Sequence, residues 1–492
     1  MQIKSGESSL SGVEVLICPI LFSGKKLSIS KYPKSLQNLI NVAVKEKNLH
    51  EKEGSIFDMQ VSLPRMPKSI ILISLGKLEK LSNLRVRSGM AVSLKTARSK
   101  QKKEVALMYP QELIPYARVI GEALVMSNHL IARYKSGKSL DAEKKKIITK
   151  LIVITSHKSD IDADLRRGIT VGEAVNATRD LINDPPNLQN PQTLSQYAKE
   201  MAKKEGLKCT VLEKKDLEKL NAGAILAVNR ASSRPQDDAR LVVLEYLPNK
   251  NEKPIAIIGK GIIFDTGGYD LKPSKHMADM HSDMSGAAAV MGVMSLAKKL
   301  NFKHNLVGLF PLTANLVGPT AYKSSEIITS YSGKTIEITN TDAEGRVVLC
   351  DTITYAIKHY KPKQMIDLAT LTGACCVALG DRYAGLMGTD WKTMKRLKVL
   401  GRETDELVWP LPIHPDYQEK MKSKIADIKN TEDGYFAGAQ KGAAFLKFFV
   451  EKTPWVHIDI AGTAYTSDPK KYESPRGTGF GVRLLARYLE TL

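Results

Sequence analysis

The chain has 492 residues, of which 43% are hydrophobic and 25% are charged, as is typical of a soluble globular protein. This length favours two domains, and no apolar run approaches the roughly 18 residues that a membrane span needs. Five cysteines without metal-type spacing, and polar residues where a signal peptide would carry its apolar core, predict a reducing, cytoplasmic location.

Residues 1–165 predict a smaller N-terminal α/β domain. Short apolar runs typical of strands lie at 13–17, 69–75, 104–109 and 150–156, with helical patterns such as 117–134 between them. This alternation indicates a mostly parallel sheet. The region contains no recognisable catalytic constellation.

The same region is strongly basic. It contains 28 Lys and Arg against 15 Asp and Glu, with lysine clusters at 100–103 and 144–146, and thus carries +13 of the formal charge of +21. Such an excess permits binding to nucleic acid. No zinc-finger spacing or aromatic and basic RNA signature accompanies it, so a solvated basic surface is favoured. A DNA-binding architectural role remains the alternative function.

Residues 166–492 predict a larger α/β domain, with a mixed, largely parallel sheet flanked by helices. Helical spacing is found at 171–184, 190–206, 285–300 and 347–360. Strand patterns are found at 241–247, 253–259, 305–312, 335–339, 364–370 and 456–460.

The heptapeptide NTDAEGR, residues 340–346, lies between a predicted strand and a predicted helix. In an extended segment the carboxylates of Asp342 and Glu344 would point to one side, and open α/β sheets bind ligands at such strand ends. Upstream, Asp265 and Asp283 flank a glycine-containing loop. Four carboxylates in one cleft would repel one another unless cations neutralise them. Oxygen ligands of this kind suit Zn, Mn, Mg or Co, and shared carboxylates suit two ions roughly 3.5–4 Å apart.

Two lysines accompany these carboxylates. Lys260 and Lys272 lie close together in the sequence, on either side of Asp265. Beside divalent cations one lysine could lose its proton and become an amine ligand. The other, kept protonated, could stabilise an oxyanion. From spacing alone, both could equally be ion-pair partners of the carboxylates.

Several segments closely resemble the leucine aminopeptidase (cytosol aminopeptidase) family of two-metal exopeptidases. They are GKGIIFDTGGYDLKP (259–273), DMHSDMSGAAAV (279–290), NTDAEGR (340–346), DLATLTGA (367–374), KIADIKN (424–430) and HIDIAGTA (457–464). The resemblance covers most of residues 170–492. It implies that residues 1–165 form a macro-domain-like unit for assembly or regulation, and that the chain forms a homohexamer, a dimer of trimers.

The resemblance also implies roles for individual residues. One metal would be held by Asp265, Asp342 and Glu344, with the main-chain carbonyl of Asp342. The other would be held by Lys260, Asp265, Asp283 and Glu344. Lys272 would bind the scissile carbonyl oxygen, and Arg346 would hold a bicarbonate ion that acts as proton shuttle. The pocket for the first side chain would be lined by Met280, Thr370, Leu371, Gly373 and Ala461.

These residues together predict a leucyl aminopeptidase. It would use Mn²⁺ or Zn²⁺ to release N-terminal Leu or Met from peptides, because the pocket positions are mostly small or apolar. A two-metal phosphodiesterase would share the carboxylates, but a lysine ligand and the lack of clustered histidines disfavour it. His281, Ser282, Ser285, Gln440 and Lys441 depart from the family pattern. These departures bear on substrate preference and subunit contacts more than on the chemistry.

Overall fold

The computed structural model describes residues 1–6, 13–24, 26–30, 32–62, 66–432, 434 and 436–492. The chain divides into two compact units, Met1–Asn176 with Asp468–Ser474 and Ala177–Ser467 with Pro475–Leu492. This division falls inside a helix, Lys158–Asn183, which also contains the boundary expected at 165/166. Among the described residues, no helix combines the length and apolar character needed to cross a bilayer.

The first unit is built on one sheet. Its strands are β1 (Gln2–Gly6), β2 (Val15–Ser23), β3 (Lys26–Leu27), β4 (Ile56–Gln60), β5 (Ser69–Lys77), β6 (Glu104–Met108) and β7 (Lys150–Ile154). Its helices are α1 (Lys34–Lys45), α2 (Asn83–Ser99), α3 (Ala117–Ser127), α4 (Gly137–Lys145) and the first part of α5 (Lys158–Asn183), with 3-10 turns at Leu78–Lys80 and Gln111–Tyr116. Among the described strands the order is β1-β7-β6-β2-β5-β4, with β3 beside β2.

This sheet is parallel from β1 to β5, and β4 and β3 pair antiparallel with their neighbours. Successive residues of β2 point to opposite faces. Val15 and Ile17 pack in a core with α2 and α3, whereas Leu16 and Cys18 pack in a second core with α1. Apolar residues on both faces explain the nearly continuous hydrophobic runs in the sequence.

The second unit contains a larger sheet. Its strands are β8 (Lys208–Leu212), β9 (Arg240–Tyr246), β10 (Ile255–Gly259), β11 (Ile262–Asp265), β12 (Leu306–Asn315), β13 (Ile327–Thr329), β14 (Thr335–Glu337), β15 (Gln364–Ala369), β16 (Tyr383–Gly388), β17 (Leu407–Pro410), β18 (Ile428–Lys429), β19 (Trp455–Asp459), β20 (Tyr465–Thr466) and β21 (Arg476–Gly477). After the end of α5, its helices are α6 (Pro191–Glu205), α7 (Lys214–Lys219), α8 (Gly223–Asn229), α9 (Ser274–Met277), α10 (Ser285–Leu296), α11 (Glu344–Tyr360), α12 (Gly373–Leu379), α13 (Trp391–Thr404), α14 (Pro415–Lys420), α15 (Gly438–Lys447) and α16 (Val482–Glu490), with 3-10 turns at Pro235–Asp237 and Met280–Ser282.

In the described part of this unit, the central sheet has the order β17-β16-β19-β15-β10-β12-β9-β8, with β11 beside β12. Its centre, β19-β15-β10-β12, is parallel, and β16, β9 and β8 introduce antiparallel pairs. The predicted mixed, largely parallel α/β fold is therefore confirmed. The strand expected at 335–339 is an exception, because β14 belongs to a separate small sheet with β13 and β18.

Helices cover the central sheet and direct the loops that follow its strands. On β10, Ala256 and Ile258 share a core with residues of α8, α11 and α15, and α10 packs against β10 and β12. The helix expected at 285–300 ends at Leu296. Because β10, β11, β12 and β15 run parallel, their carboxyl ends lie at one edge of the sheet.

Candidate active site

The carboxyl ends of four strands of the central sheet carry polar residues. Lys260 follows β10, Asp265 ends β11, Asn315 ends β12 and Thr370 follows β15. Lys260, Asp265 and Asn315 are almost completely buried. This edge is where the sequence predicted a ligand site, although NTDAEGR reaches it from the small sheet of β14.

Lys260 lies between two carboxylates. Its Nζ is 2.7 Å from Asp283 Oδ2 and 2.7 Å from Glu344 Oε1, and it donates to the main-chain oxygen of Thr370 at 2.9 Å. Burial lowers the pKa of Lys260, but the carboxylates of Asp283, Glu344 and Asp265 outweigh burial, and the net pKa is raised. These ion pairs favour the charged form of Lys260.

Lys272 joins the other two carboxylates. Its Nζ lies 2.9 Å from Asp265 Oδ2 and 2.5 Å from Asp342 Oδ1, and its side chain remains 15% exposed. Burial lowers the pKa of Lys272. The opposing effect of three carboxylates is larger, so the net pKa is raised; they are Asp265, Glu344 and Asp342. Lys272 is thus a charged group at the edge of the site with some access to solvent.

Asp265 is fixed by donors on both sides of its loop. Its Oδ1 accepts from the Gly267 N–H and from Asn315 Nδ2, each at 2.8 Å. Gly267 has φ of +88°, and a Cβ there would come within 2.4 Å of the Asp270 main-chain oxygen. Only glycine permits this turn without strain. The loop thereby brings Lys272 back toward Asp265.

Glu344 is the first residue of α11, and Asp342 lies in the turn before it. The segment is therefore not extended, although the sequence analysis considered it as an extended one. Both carboxylates nevertheless face lysines, Glu344 facing Lys260 and Asp342 facing Lys272. A Cβ at Gly345 would lie 2.6 Å from Cε of Lys260. Glycine at this position allows the start of α11 to approach Lys260 closely.

Four carboxylates, Asp265, Asp283, Asp342 and Glu344, form what we call the acidic cluster. Burial and the charge of Asp265 raise the pKa of both Glu344 and Asp342. Burial also raises the pKa of Asp283, although Lys260 opposes the increase. Burial is the main cause of all three increases, and repulsion from the charge of Asp265 adds to each of them.

The acidic cluster has the chemistry of a divalent metal site. Oxygens of Asp265, Asp342 and Glu344 lie within 4.8 Å of one another. Asp283 is connected to this group by Lys260, whose Nζ pairs with both Asp283 and Glu344. Within the described part of the chain, Asp283 Oδ2, Asp342 Oδ1 and Glu344 Oε1 face lysines as ion pairs but accept no well-oriented hydrogen bond. Hard oxygen donors with available lone pairs fit divalent cations.

Arg346 is buried beside the acidic cluster. Its Nη1 donates to the Asn430 main-chain oxygen at 3.0 Å, whereas its Nε has no hydrogen-bond partner among the described residues. Burial lowers the pKa of Arg346 to about 10, although Glu344 and Asp459 act in the opposite direction. A buried guanidinium with an unused donor is suited to binding a small anion.

The expected pocket residues lie on three segments. Thr370 Oγ1 donates to Asp283 Oδ1 at 2.6 Å, and the main-chain N–H groups of Leu371 and Ala461 both donate to Asp459 Oδ1. Gly373 is the first residue of α12. Met280 begins the 3-10 turn before Asp283.

The structure reveals supporting residues that the sequence analysis missed. Asp270 Oδ2 accepts from the main-chain N–H of Thr341 at 2.7 Å, and Thr341 Oγ1 donates to the Gly267 oxygen at 2.6 Å. These bonds join the loop of Lys272 to the residue before Asp342. Asn315 and Asp459 each end a buried strand, and this position was the signal that could have identified them.

Comparisons with known proteins cover both units. The sequence model of the cytosol aminopeptidase family catalytic domain matches residues 176–486, and that of its N-terminal domain matches residues 20–138. A probable cytosol aminopeptidase of Rhodopirellula baltica is 40% identical over 472 residues, covering 94% of this chain and 89% of that protein. One of Syntrophotalea carbinolica is 38% identical over 465 residues, covering 93% and 92%.

A solved structure has a similar fold over nearly the whole chain. The bottromycin maturation enzyme BotP in complex with Mn superposes with a TM-score of 0.85 at 26% identity, covering 98% of this chain and 99% of that one. Two family models and relatives near 40% identity agree on one family.

Proposed function

The chain belongs to the cytosol aminopeptidase family, and we propose that it is a metal-dependent aminopeptidase releasing N-terminal residues, preferably Leu or Met, from peptides. The observation that carries this proposal is the acidic cluster with Lys260 and Lys272 between its carboxylates. A peptidase needs a nucleophile, a stabilised oxyanion and a proton carrier, and the site offers residues for each.

Two divalent cations, Mn²⁺ or Zn²⁺, are the proposed cofactors. Asp265, Asp342 and Glu344 would hold one ion, together with the Asp342 carbonyl. Lys260 and Asp283 would hold the other, with Asp265 and Glu344 shared. Such ions, when bound, lower the pKa of a water molecule so that it attacks near neutral pH, and they polarise the scissile carbonyl. A cation beside Lys260 would favour its neutral amine through like-charge repulsion.

Lys272 is the proposed electrophilic group. Its ammonium group is held by Asp265 and Asp342, and its side chain is 15% exposed, so Lys272 is placed to meet a substrate at the mouth of the cluster. As the carbonyl becomes tetrahedral, negative charge grows on its oxygen, and a fixed ammonium stabilises that charge. Lys272 therefore supports acyl transfer without itself exchanging a proton.

Arg346 is proposed to hold bicarbonate as the proton shuttle. Its unused Nε and its burial beside Glu344 support a bound anion there. The Asn430 carbonyl keeps the guanidinium in place. An anion at this position would accept a proton from the attacking water and deliver it to the leaving amine.

The proposed pocket residues would favour an apolar first side chain. Met280, Leu371, Gly373 and Ala461 offer apolar or small surfaces, and Thr370 is engaged by Asp283. A charged first side chain would find no partner among these pocket residues and would lose hydration. A difference of one methylene changes selectivity by only ~1–3 kcal/mol, so Leu and Met should both be accepted.

The test is hydrolysis of leucine-, methionine- and arginine-p-nitroanilide after chelation and after return of Mn²⁺ or Zn²⁺. Lys272→Ala and Glu344→Ala are assayed beside the wild type. We expect metal-dependent release that is fastest on leucine or methionine and falls by at least ~10²-fold in both variants. No turnover with any metal, in folded protein that binds metal, would overturn the proposal.

Assembly and location follow the family resemblance. We propose a cytoplasmic homohexamer, arranged as a dimer of trimers, and the 54.3 kDa chain makes the assembly easy to weigh in solution. Light scattering that gives a mass near that of a monomer at assay concentrations would contradict the hexamer. It would leave the catalytic proposal intact.

DNA binding by the first unit is the second candidate function. The structure brings its two lysine clusters together, since Lys103 Nζ donates to the main-chain oxygens of Lys144 and Lys145. In contrast, Lys100 pairs with Asp58 and reduces the exposed charge. Retention of duplex DNA that falls steeply with salt and survives Asp342→Ala would support this function. Absence of retention at low salt would exclude it.

A further inference from the structure

Asp459 is a completely buried carboxylate to which the catalytic proposal gives no role. It is the last residue of β19, and none of its surface is exposed. Strands β19 and β15 are parallel neighbours with Ala369 opposite Asp459. The chain therefore leaves both strands side by side, into the two loops that carry most of the proposed substrate pocket.

The Asp459 carboxylate connects these two loops. Its Oδ1 accepts from the main-chain N–H of Leu371 at 3.1 Å and from that of Ala461 at 3.2 Å. Its Oδ2 accepts from Thr372 Oγ1 at 2.7 Å. One carboxylate thus fixes the main chain at two proposed pocket positions that are 90 residues apart in the sequence.

The connection extends to the beginning of α12. Thr372 Oγ1 donates to Asp459 and also accepts from the main-chain N–H of Cys375 at 3.0 Å, which caps this helix. Gly373 is the first residue of α12. The position of Gly373 therefore depends on the same carboxylate as the positions of Leu371 and Ala461.

We propose that Asp459 is the positioning residue that sets the shape of the pocket for the substrate's first side chain. This inference rests on the proposed aminopeptidase function and adds a specificity-determining residue to it. Asp459 acts through Leu371, Thr372 and Ala461. Without its oxygens, buried donors on both loops lose their acceptor, and the loops shift until other acceptors are found.

Two variants remove the acceptor oxygens of Asp459, one in part and the other completely. Asp459→Asn keeps one carbonyl oxygen for the two main-chain N–H groups, whereas Asp459→Ala removes both oxygens. The kcat and KM for leucine-, methionine-, alanine- and phenylalanine-p-nitroanilide are measured with saturating Mn²⁺. Discrimination by an apolar pocket amounts to ~10–200-fold per methylene, so we expect the leucine-to-alanine ratio of kcat/KM to fall ~10-fold in Asp459→Ala. A smaller fall is expected in Asp459→Asn, in both cases mainly through KM for leucine.

Asp351 offers a matched control in the same unit. It is also almost completely buried and accepts from three main-chain N–H groups, those of Ala224, Ile225 and Tyr331. All three donors lie outside the two pocket loops. Asp351→Asn and Asp351→Ala should therefore lower the melting temperature as the Asp459 variants do, but leave the leucine-to-alanine ratio unchanged.

The outcomes distinguish failure of the role of Asp459 from failure of the aminopeptidase function. A wild-type ratio in the Asp459 variants, or an equal change of ratio in the Asp351 variants, overturns the role of Asp459 alone. No turnover by the metal-loaded wild type overturns the aminopeptidase function, and the role of Asp459 with it. If Asp459→Ala does not fold, the ratio and KM of Asp459→Asn decide the question.

Discussion

Helix α11 carries two buried carboxylates whose surroundings differ in kind. Glu344, at its first residue, faces Lys260 at 2.7 Å and has an oxygen that accepts no well-oriented hydrogen bond from the described residues. Asp351, about two turns further along, accepts three main-chain N–H bonds of 2.7–3.1 Å. Burial raises the pKa of both side chains.

Asp351 has the surroundings of a structural buried charge, whereas those of Glu344 suit the metal-binding role proposed for it. Main-chain donors are fixed by the fold, so Asp351 is satisfied in one arrangement and holds the start of α8 and Tyr331 in place. The partner of Glu344 is another side chain, and a cation can replace or supplement it. A buried carboxylate surrounded by charges rather than by main-chain donors is therefore suited to exchanging its partners.

The largest expected effect tests the proposed functional role of Glu344. Glu344→Gln should lower kcat/KM for leucine-p-nitroanilide by at least ~10²-fold, because a proposed bridging ligand loses its charge. The free energy of unfolding should stay equal or increase, because the raised pKa of Glu344 means that its charged form is disfavoured in the folded protein, and Lys260 keeps Asp283 as a partner. Urea unfolding of the metal-free protein measures it. A large loss of stability with normal turnover would make Glu344 a structural residue like Asp351.

Asp351→Ala should have the converse effect. Three buried main-chain N–H groups lose their acceptor, and we expect the second unit to lose about 3 kcal/mol of unfolding free energy. Turnover per folded molecule should remain that of the wild type. Urea unfolding, followed together with activity, checks both statements. A variant of normal stability and low activity would contradict the comparison.

The substitution Arg346→Met tests the proposed anion site, and we expect it to lower kcat by ~10-fold to 10²-fold. The substitution keeps a long apolar side chain but removes the proposed anion site and the bond to the Asn430 oxygen. Bicarbonate added to bicarbonate-depleted enzyme should stimulate the wild type and leave the variant unchanged. Equal stimulation of both would show that the anion acts elsewhere.

The smallest expected effect is on stability and concerns the buried pair of His457 and Asp367. His457 Nδ1 lies 2.6 Å from Asp367 Oδ1, and both residues are fully buried. Burial lowers the pKa of His457, but Asp367 has the opposite effect, and the net pKa is raised. The pair should therefore stabilise the fold fully below pH ~6.5, the ordinary pKa of histidine, and less as the pH rises through the folded-state pKa.

The measurement is the difference in unfolding free energy between wild type and His457→Gln from pH 6 to pH 9. This difference should decline with rising pH, and Asp367→Asn should abolish the decline. A difference that grows with pH would mean that His457 is neutral in the folded protein. Turnover per folded molecule should be unaffected by either substitution.

The sequence predicted the fold well because buried parallel strands leave a clear apolar pattern. The predicted runs at 13–17, 69–75, 253–259 and 364–370 overlap β2, β5, β10 and β15 and were all identified in this way. The pattern did not distinguish the strand of the small sheet, β14, from those of the central one, because sheet membership depends on long-range pairing.

The candidate site was predictable where its residues are close in the sequence. NTDAEGR and the segment from Lys260 to Asp283 carry an unusual density of charge, which pointed to a site. The assignment of each lysine to its carboxylates required the fold. The roles of Asn430 and Asp459 were not predicted, because their partners, Arg346 and Leu371, are more than 80 residues away in sequence.

The close approach of Gly345 to Lys260 has an evolutionary consequence. Because a Cβ at 345 would lie 2.6 Å from the Lys260 side chain, the residues allowed at either position depend on the other. With lysine at 260, an alanine at 345 would push the end of that side chain away from Asp283 and Glu344, whereas a shorter side chain at 260 would leave room for the alanine. Mutational paths that change 345 first therefore displace the end of the Lys260 side chain, whereas paths that shorten residue 260 first do not, so the order of the two substitutions matters.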